Sequence, residues 1–188
     1  FFLGMWPSDF GEVLKQRAED STMIPTAGGL GIASGRLSYI FGMNGPALCV
    51  DTASSSALVA CHAAVSCLQD SLEWDCTTAG VSGCHLMLHP ETAVAMRRIG
   101  LLHPNGRCFT WDERAQGIVF GEACLSLTLS SMPSAGANSV RAGTVRQDGK
   151  TAIITAPNGH AQQRLIQDSL QRAGVEASDL RMCALHGT

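Results

Sequence analysis

The spacing of hydrophobic and polar positions changes period several times along this chain, and each change marks a predicted element. Asp9 to Glu19 has the pattern of a modest amphipathic helix. Gly28-Gly29-Leu30-Gly31-Ile32-Ala33-Ser34-Gly35 reads as a flexible loop leading into Arg36 to Phe41, and a Gly45-Pro46 turn precedes a short apolar strand, Ala47 to Val50. A polar cluster, Asp51-Thr52-Ala53-Ser54-Ser55-Ser56, then opens onto a second pattern. From Ser54 to Gln69 the apolar residues, Ala57, Leu58, Ala60, Cys61, Ala64, Val65 and Leu68 among them, occupy almost the whole circumference of a helix. Such a helix is expected to be buried on nearly all sides.

Thr77 to Ser82 resembles a strand, and His89-Pro90-Glu91 opens a helix with proline early, an acid in the first turn, Arg97 and Arg98 in the last and Gly100 behind. Leu101 to Glu122 is a long irregular stretch. Cys124 to Leu129 alternates apolar and polar as a half-buried strand does, with Val140 to Arg146 as its predicted neighbour. A helix from Asn158 or Gly159 to Ala173 is stopped by Gly174, and Met182 to Leu185 forms a last strand ending at His186. Strands alternating with helices predict a layered α/β architecture.

Composition narrows the function classes. With 188 residues, 45% hydrophobic and 15% charged, the chain can bury a full core and is neither a disordered tail nor a coiled coil. Thirteen Lys and Arg stand against sixteen Asp and Glu without a basic run, which argues against a nucleic-acid partner. No stretch reaches the roughly 18 to 20 uninterrupted apolar residues of a membrane span, and Phe1-Phe2-Leu3-Gly4-Met5-Trp6 lacks the basic flank of a signal peptide, so a soluble, cytoplasmic protein is expected. The ends at Phe1 and Thr188 read as those of a fragment.

Three apparent motifs carry no chemistry. Eight cysteines without a C-x-x-C pair, mostly within apolar runs, read as buried reduced thiols rather than a disulfide framework. His85 and His89 have the spacing of helical zinc ligands, but Gly83 to Leu88 reads as the end of a strand, so no metal site is expected. The glycines from Gly28 imitate a dinucleotide loop, but no strand precedes them and Ser34 stands at the third glycine of G-x-G-x-x-G.

The junction Asp51 to Ser56 is more informative. Asp, Thr and Ser there suit an ordinary N-cap, which accepts hydrogen bonds from free N–H groups of the first turn. A helix N-terminus inside a domain also favours a developing negative charge on a nucleophile or an oxyanion. Residue types alone leave both readings open.

The segment Gly45-Pro46-Ala47-Leu48-Cys49-Val50-Asp51-Thr52-Ala53-Ser54-Ser55-Ser56-Ala57-Leu58-Val59-Ala60 closely resembles the active-site segment of β-ketoacyl synthases, in particular the ketosynthase domains of polyketide synthases. Further stretches resemble that family's signatures in the same order: Gly31 to Tyr39, Leu86 to Thr92, Asn105-Gly106-Arg107-Cys108, Gly121-Glu122-Ala123-Cys124, Gln147-Asp148-Gly149, Thr155-Ala156-Pro157-Asn158-Gly159 and His186-Gly187-Thr188. The resemblance implies a thiolase-like fold of two related halves in α-β-α-β-α layers, here with the second half truncated. Residues 1–188 would then be one partial ketosynthase domain, most of the first half and the start of the second.

The resemblance also implies a reaction. A cysteine at the N-terminus of the buried helix takes an acyl group from the phosphopantetheine of an acyl carrier protein. A malonyl-type extender is decarboxylated with the help of two histidines, and its carbanion attacks the acyl-cysteine, as in polyketide or fatty acid biosynthesis. The implied partners are an acyl carrier protein and a second copy of the chain in a homodimer; no directly bound cofactor is implied. His186 matches the first histidine, while the second, the family's lysine and its later glycine-rich segment belong beyond Thr188. The nucleophile position holds Ser54. A hydroxyl needs an adjacent base where a thiol ionises readily, and an oxygen ester is the poorer electrophile, so condensation should be impaired. Neither Cys49, in the preceding strand, nor Cys61, about two helical turns beyond, sits where Ser54 does. His160 stands where proline is frequent, Arg146 where asparagine is, and Ala184 where glutamate is. A non-condensing homologue that binds a dimer partner or carrier, or that only decarboxylates, is the competing expectation.

Overall fold

The computed structural model describes residues 1–6, 9–16, 26, 28–70, 75–132, 134–153 and 156–187. The end of the helix expected to reach Glu19, and the motif residues Thr155 and Thr188, lie outside them. The chain divides into two compact units, Phe1–Ser131 with Leu185–Thr188, and Met132–Ala184.

The first unit is built on a four-stranded sheet of order β2-β1-β3-β4, with β1 at Phe2–Met5, β2 at Leu48–Val50, β3 at Thr78–His85 and β4 at Ala123–Ser130. β1 runs parallel to both β2 and β3, pairing Gly4 with Val50 on one side and with Gly83 on the other. β4 returns antiparallel to β3 along all eight residues. Among the described residues, α1 (Phe10–Gln16), α2 (Leu30–Ile40) and α3 (Ser56–Gln69) lie between β1 and β3 in the chain, and α4 (Pro90–Arg98) follows β3. α3 packs on β1 and β3, and the core is the cluster of Phe2, Ala60, Ala64, Cys67, Ala79 and Val81.

The register explains how α3 approaches so closely. A Cβ at Gly4 would lie 2.4 Å from the backbone of Ser56 and Ala57, and one at Gly83 would lie 2.7 Å from the Ala57 Cβ. Gly4 and Gly83 are cross-strand partners, so this pair forms a flat seat for the first turn of α3. Small residues Ala60 and Ala64, both fully buried, continue the contact one turn and two turns on.

Several expectations need correction. Gly28 to Gly35 is not a loop: α2 begins at Leu30. Ser34 and Ser38 are its buried face and return their hydroxyls to the helix carbonyls of Gly31 and Ser34, while Gly31 and Gly35 face open space. Tertiary packing thus overrides a propensity cost of about 1 kcal/mol per glycine. α3 starts at Ser56 rather than Ser54 and buries one face, Ser56, Ala60, Ala64 and Cys67. Leu58 is 77% exposed, on the side of this helix away from the sheet-facing residues. β4 is a strand, but its residues are exposed on both faces except for half-buried Leu129. Of the eight cysteines, none of them in a disulfide, only Cys67 is buried and Cys108, Cys124 and Cys183 are exposed.

In the second unit, α5 (Gly159–Ala173) begins and ends as its sequence predicts. Asn158 caps it by accepting from the Ala161 N–H, and Gly174 closes it with a left-handed φ of 62°. Val140 to Arg146 forms no strand; Val140, Ala142 and Thr144 instead line a shallow cleft with Leu165, Ile166 and Ser169 of α5. Met182 to Leu185 forms no strand either. An apolar run supplies a face to bury but not a backbone partner, and neither segment has a ladder partner among the described residues. No helix among the described residues is long and apolar enough to cross a membrane.

Candidate active site

The turn between β2 and α3 is held by its own polar groups. The Ala53 N–H donates to the Asp51 carboxylate (3.0 Å). The Thr52 N–H donates to Ser56 Oγ (2.8 Å), whose hydroxyl in turn donates to the Ala53 carbonyl (2.6 Å). Ser55 donates to the Thr52 carbonyl (2.9 Å), and the two hydroxyls lie 2.8 Å apart. Ala53 adopts a left-handed φ of 55°, a conformation that costs a non-glycine residue on the order of 1 kcal/mol.

Ser54 is the exception. It is exposed, and its hydroxyl has no hydrogen-bond partner among the described residues. It stands between left-handed Ala53 and the N-cap Ser55, at the end of α3 that rests on the glycine seat. The ordinary N-cap reading does not hold, because Ser55 makes no side-chain cap bond to the helix. Its hydroxyl is used inside the turn, and the N–H groups of Ala57 and Leu58 meet no acceptor among the described residues. The helix end therefore retains free donors beside Ser54.

The neighbouring thiols are poor substitutes for a nucleophile. Burial, then the charge of Asp51, pushes the Cys49 thiol above its ordinary pKa, although a hydrogen bond from the Val50 backbone opposes this. Burial pushes Cys61 up as well. Both are held in the protonated form.

His186 belongs to the same unit, in an exposed segment that continues into Gly187 at φ 70°. The Thr110 hydroxyl donates to the Gly187 carbonyl (3.3 Å), and a Cβ on Gly187 would meet the Thr110 methyl at 2.7 Å. No hydrogen bond joins Ser54 to His186 among the described residues.

Other motif residues are tied together by contacts that sequence reading missed. Asp9 accepts from the His89 N–H (3.2 Å) and the Thr92 hydroxyl (2.7 Å), and the Gln16 amide lies 2.6 Å from His89 Nε2. His89 is thus the cap of α4, accepting from the Glu91 N–H, and His85 at the end of β3 donates through Nδ1 to the Gly121 carbonyl (2.8 Å). Glu122 accepts from the Met87 N–H (2.8 Å), which clasps the Gly121-Glu122 and Leu86-Met87-Leu88 segments. In the second unit, Asp148 accepts the Asn158 N–H (3.2 Å), and Arg146 pairs with Asp168. An acid just before a helix, as Asp9 is, was the one available signal; its partners 80 residues away were not.

Two family models match in tandem, the β-ketoacyl synthase N-terminal domain over residues 1–135 and the β-ketoacyl synthase C-terminal domain over residues 138–188. The chain belongs to the β-ketoacyl synthase family. Among curated relatives, the mycocerosic acid synthase-like polyketide synthase of Mycolicibacterium smegmatis is 34% identical over 194 residues, spanning 100% of this chain and 9% of that protein. Polyketide synthase GfsA of Streptomyces halstedii is 39% identical over 163 residues, 84% of this chain and 2% of that one. The chain therefore spans less than a tenth of these relatives. Among solved structures, an oxazolomycin ketosynthase domain from Streptomyces albus JA3453 superposes with a TM-score of 0.87 at 28% identity, covering 100% of this chain and 34% of that one. The ketosynthase from module 6 of the bacillaene synthase of Bacillus subtilis 168 gives 0.76 at 31% identity, covering 93% and 30%. The fold of this ketosynthase-family chain is thus thiolase-like α/β, as its motifs imply.

Proposed function

We propose that residues 1–188 are part of one ketosynthase domain of a polyketide synthase, in which Ser54 occupies the nucleophile position and His186 that of the first histidine. The substrates are acyl and malonyl-type groups on the phosphopantetheine of an acyl carrier protein, and the domain works as a homodimer. The observation that carries the reading is the turn itself. Every other hydroxyl in it is engaged, whereas Ser54 is exposed and unengaged beside the free N–H groups of α3. That arrangement presents a side chain to a thioester and offers donors to the oxyanion that forms on attack.

The same geometry limits the chemistry. No base contacts the Ser54 hydroxyl among the described residues, so it stays protonated and attacks slowly, and an acyl group held there as an oxygen ester resists the carbanion. Condensation is accordingly impaired, and the 188 residues alone do not condense. Decarboxylation calls on the histidine rather than the nucleophile, so a second reading, carbon dioxide release without chain joining, follows from the absence of a base at Ser54. In the intact protein, malonyl-carrier and acyl-carrier substrates are supplied together, and carbon dioxide and condensed product are measured for the natural sequence and Ser54→Cys. Product rising by at least ten-fold in the variant is expected; equal product from both would contradict the assignment of Ser54.

A further inference from the structure

Outside the Ser54 turn, the β3–β4 ladder brings two thiols face to face. Cys84 and Cys124 are directly opposite in the antiparallel register. The Ser131 N–H donates to the Thr77 carbonyl (3.0 Å) one step beyond the ladder's end, which marks Thr77 and Ser131 as a hydrogen-bonded pair. Alternation from there makes Ser82–Ser126 and Cys84–Cys124 non-hydrogen-bonded pairs, in which side chains face each other most closely and Cα atoms lie about 4.5 Å apart. Ser82 and Ser126 show that closeness directly, with hydroxyls 2.6 Å apart on the face that the two cysteines share. A Cα separation of about 4.5 Å lies within the range of about 4.4 to 6.8 Å that a disulfide spans.

We propose that Cys84 and Cys124 are a redox modification site that closes to an intrachain disulfide under a disulfide oxidant such as glutathione disulfide. Cys124 is the exposed member and Cys84 the half-buried one, so Cys124 reacts first. Its thiolate attacks glutathione disulfide, forming a mixed disulfide and releasing one glutathione thiolate. The Cys84 thiol, giving its proton to solvent, then attacks the Cys124 sulfur and releases the second glutathione. Two protein thiols are oxidised and one glutathione disulfide is reduced to two glutathiones. The bond ties the exposed edge strand β4 to β3 and closes the stretch between them, which carries α4, His103 and Thr110. The site is independent of the role assigned to Ser54.

Cys67 and Cys76 are the competing pair, packed in one cluster, but Cys67 is buried in the core on α3 and no ladder fixes its register. The protein is incubated with glutathione disulfide, remaining thiols are alkylated in denaturant, and disulfide-linked peptides are mapped by mass spectrometry. The expected result is a peptide joining Cys84 to Cys124, a loss of two hydrogens from the intact mass, and Cys84 and Cys124 protected from alkylation. Cys124→Ser should abolish the link and Cys84→Ser should stop the reaction at a glutathione adduct on Cys124. Oxidation should raise the urea midpoint, and dithiothreitol should restore it. Alkylation of both Cys84 and Cys124, a stable glutathione adduct on the natural sequence, or a link from Cys67 to Cys76 in its place would overturn the proposal; the natural-sequence map decides even if a variant fails to fold.

Discussion

The turn bearing Ser54 and the segment bearing His186 are both short, polar and exposed, yet they are positioned by different means. The first is fixed from below, by the Gly4 and Gly83 seat that admits the backbone of α3, and from within, by the side chains of Asp51, Thr52, Ser55 and Ser56. The second is held, among the described residues, by one hydrogen bond, from the Thr110 hydroxyl to the Gly187 carbonyl. The Ser54 turn is seated on the core, while the His186 segment is attached to the surface of the same unit. The two should respond differently to equivalent changes.

The largest effect is expected at the seat. Gly4→Val places a branched side chain where even a Cβ would lie 2.4 Å from the backbone of Ser56 and Ala57, so α3 must lift from the sheet. Overpacking of this kind should cost about 3 kcal/mol or more, seen as a lowered urea midpoint with loss of cooperativity. Unchanged stability would mean that the glycine pair does not set the helix. Ser56→Ala, at a buried position, removes the acceptor of the Thr52 N–H and the donor to the Ala53 carbonyl. About 1 kcal/mol should be lost in the same measurement, from two part-buried hydrogen bonds removed together.

Gly187→Ala should do less and act locally. It combines a left-handed backbone with a clash against the Thr110 methyl, and about 1 kcal/mol is the expected cost. Hydrogen exchange should quicken at Leu185 to Gly187 and leave β1 and β3 unchanged. A global loss matching that of Gly4→Val would erase the distinction between the two regions.

How much of this was legible in the sequence depends on what each residue must meet. α5 could be read at both ends, because Asn158 and Gly174 act on their own backbone within one turn. α4 was legible for the same reason, through Pro90 and its terminal charges. α2 was misread because Gly31 and Gly35 argue locally for a loop, whereas burial of Ser34 and Ser38 decides for a helix. Val140 to Arg146 was misread because alternation names a face but not the neighbour, which proved to be α5. The site divides likewise. Ser54 was found from its motif, but the glycine seat and the contacts of Asp9 depend on partners in distant strands or loops.

The smallest predicted effect separates the regions by pH. Burial leads the causes that push the thiols of Cys49, Cys61, Cys67 and Cys84 upward, and all four lie on β2, α3 or β3. A folded pKa raised above the unfolded value stabilises the fold fully below the unfolded pKa, and that contribution is lost as pH rises through the folded one. Urea midpoints should therefore fall above about pH 9, where unfolded thiols ionise. Replacing the four by alanine should flatten the decline, and a decline that persists would place its origin elsewhere.

The central claim is that the hydroxyl of Ser54 occupies a position built for a thiol. Its most direct test is intact-mass measurement of acyl transfer from an acyl-phosphopantetheine thioester to the intact protein, natural sequence against Ser54→Cys, with the acylated peptide mapped. The account predicts little or no stable acylation of the natural sequence and rapid, single acylation at position 54 in the variant, at least ten-fold faster. Equal acylation rates in the two proteins, or acylation of the variant at another residue such as Cys49 or Cys61, would contradict it.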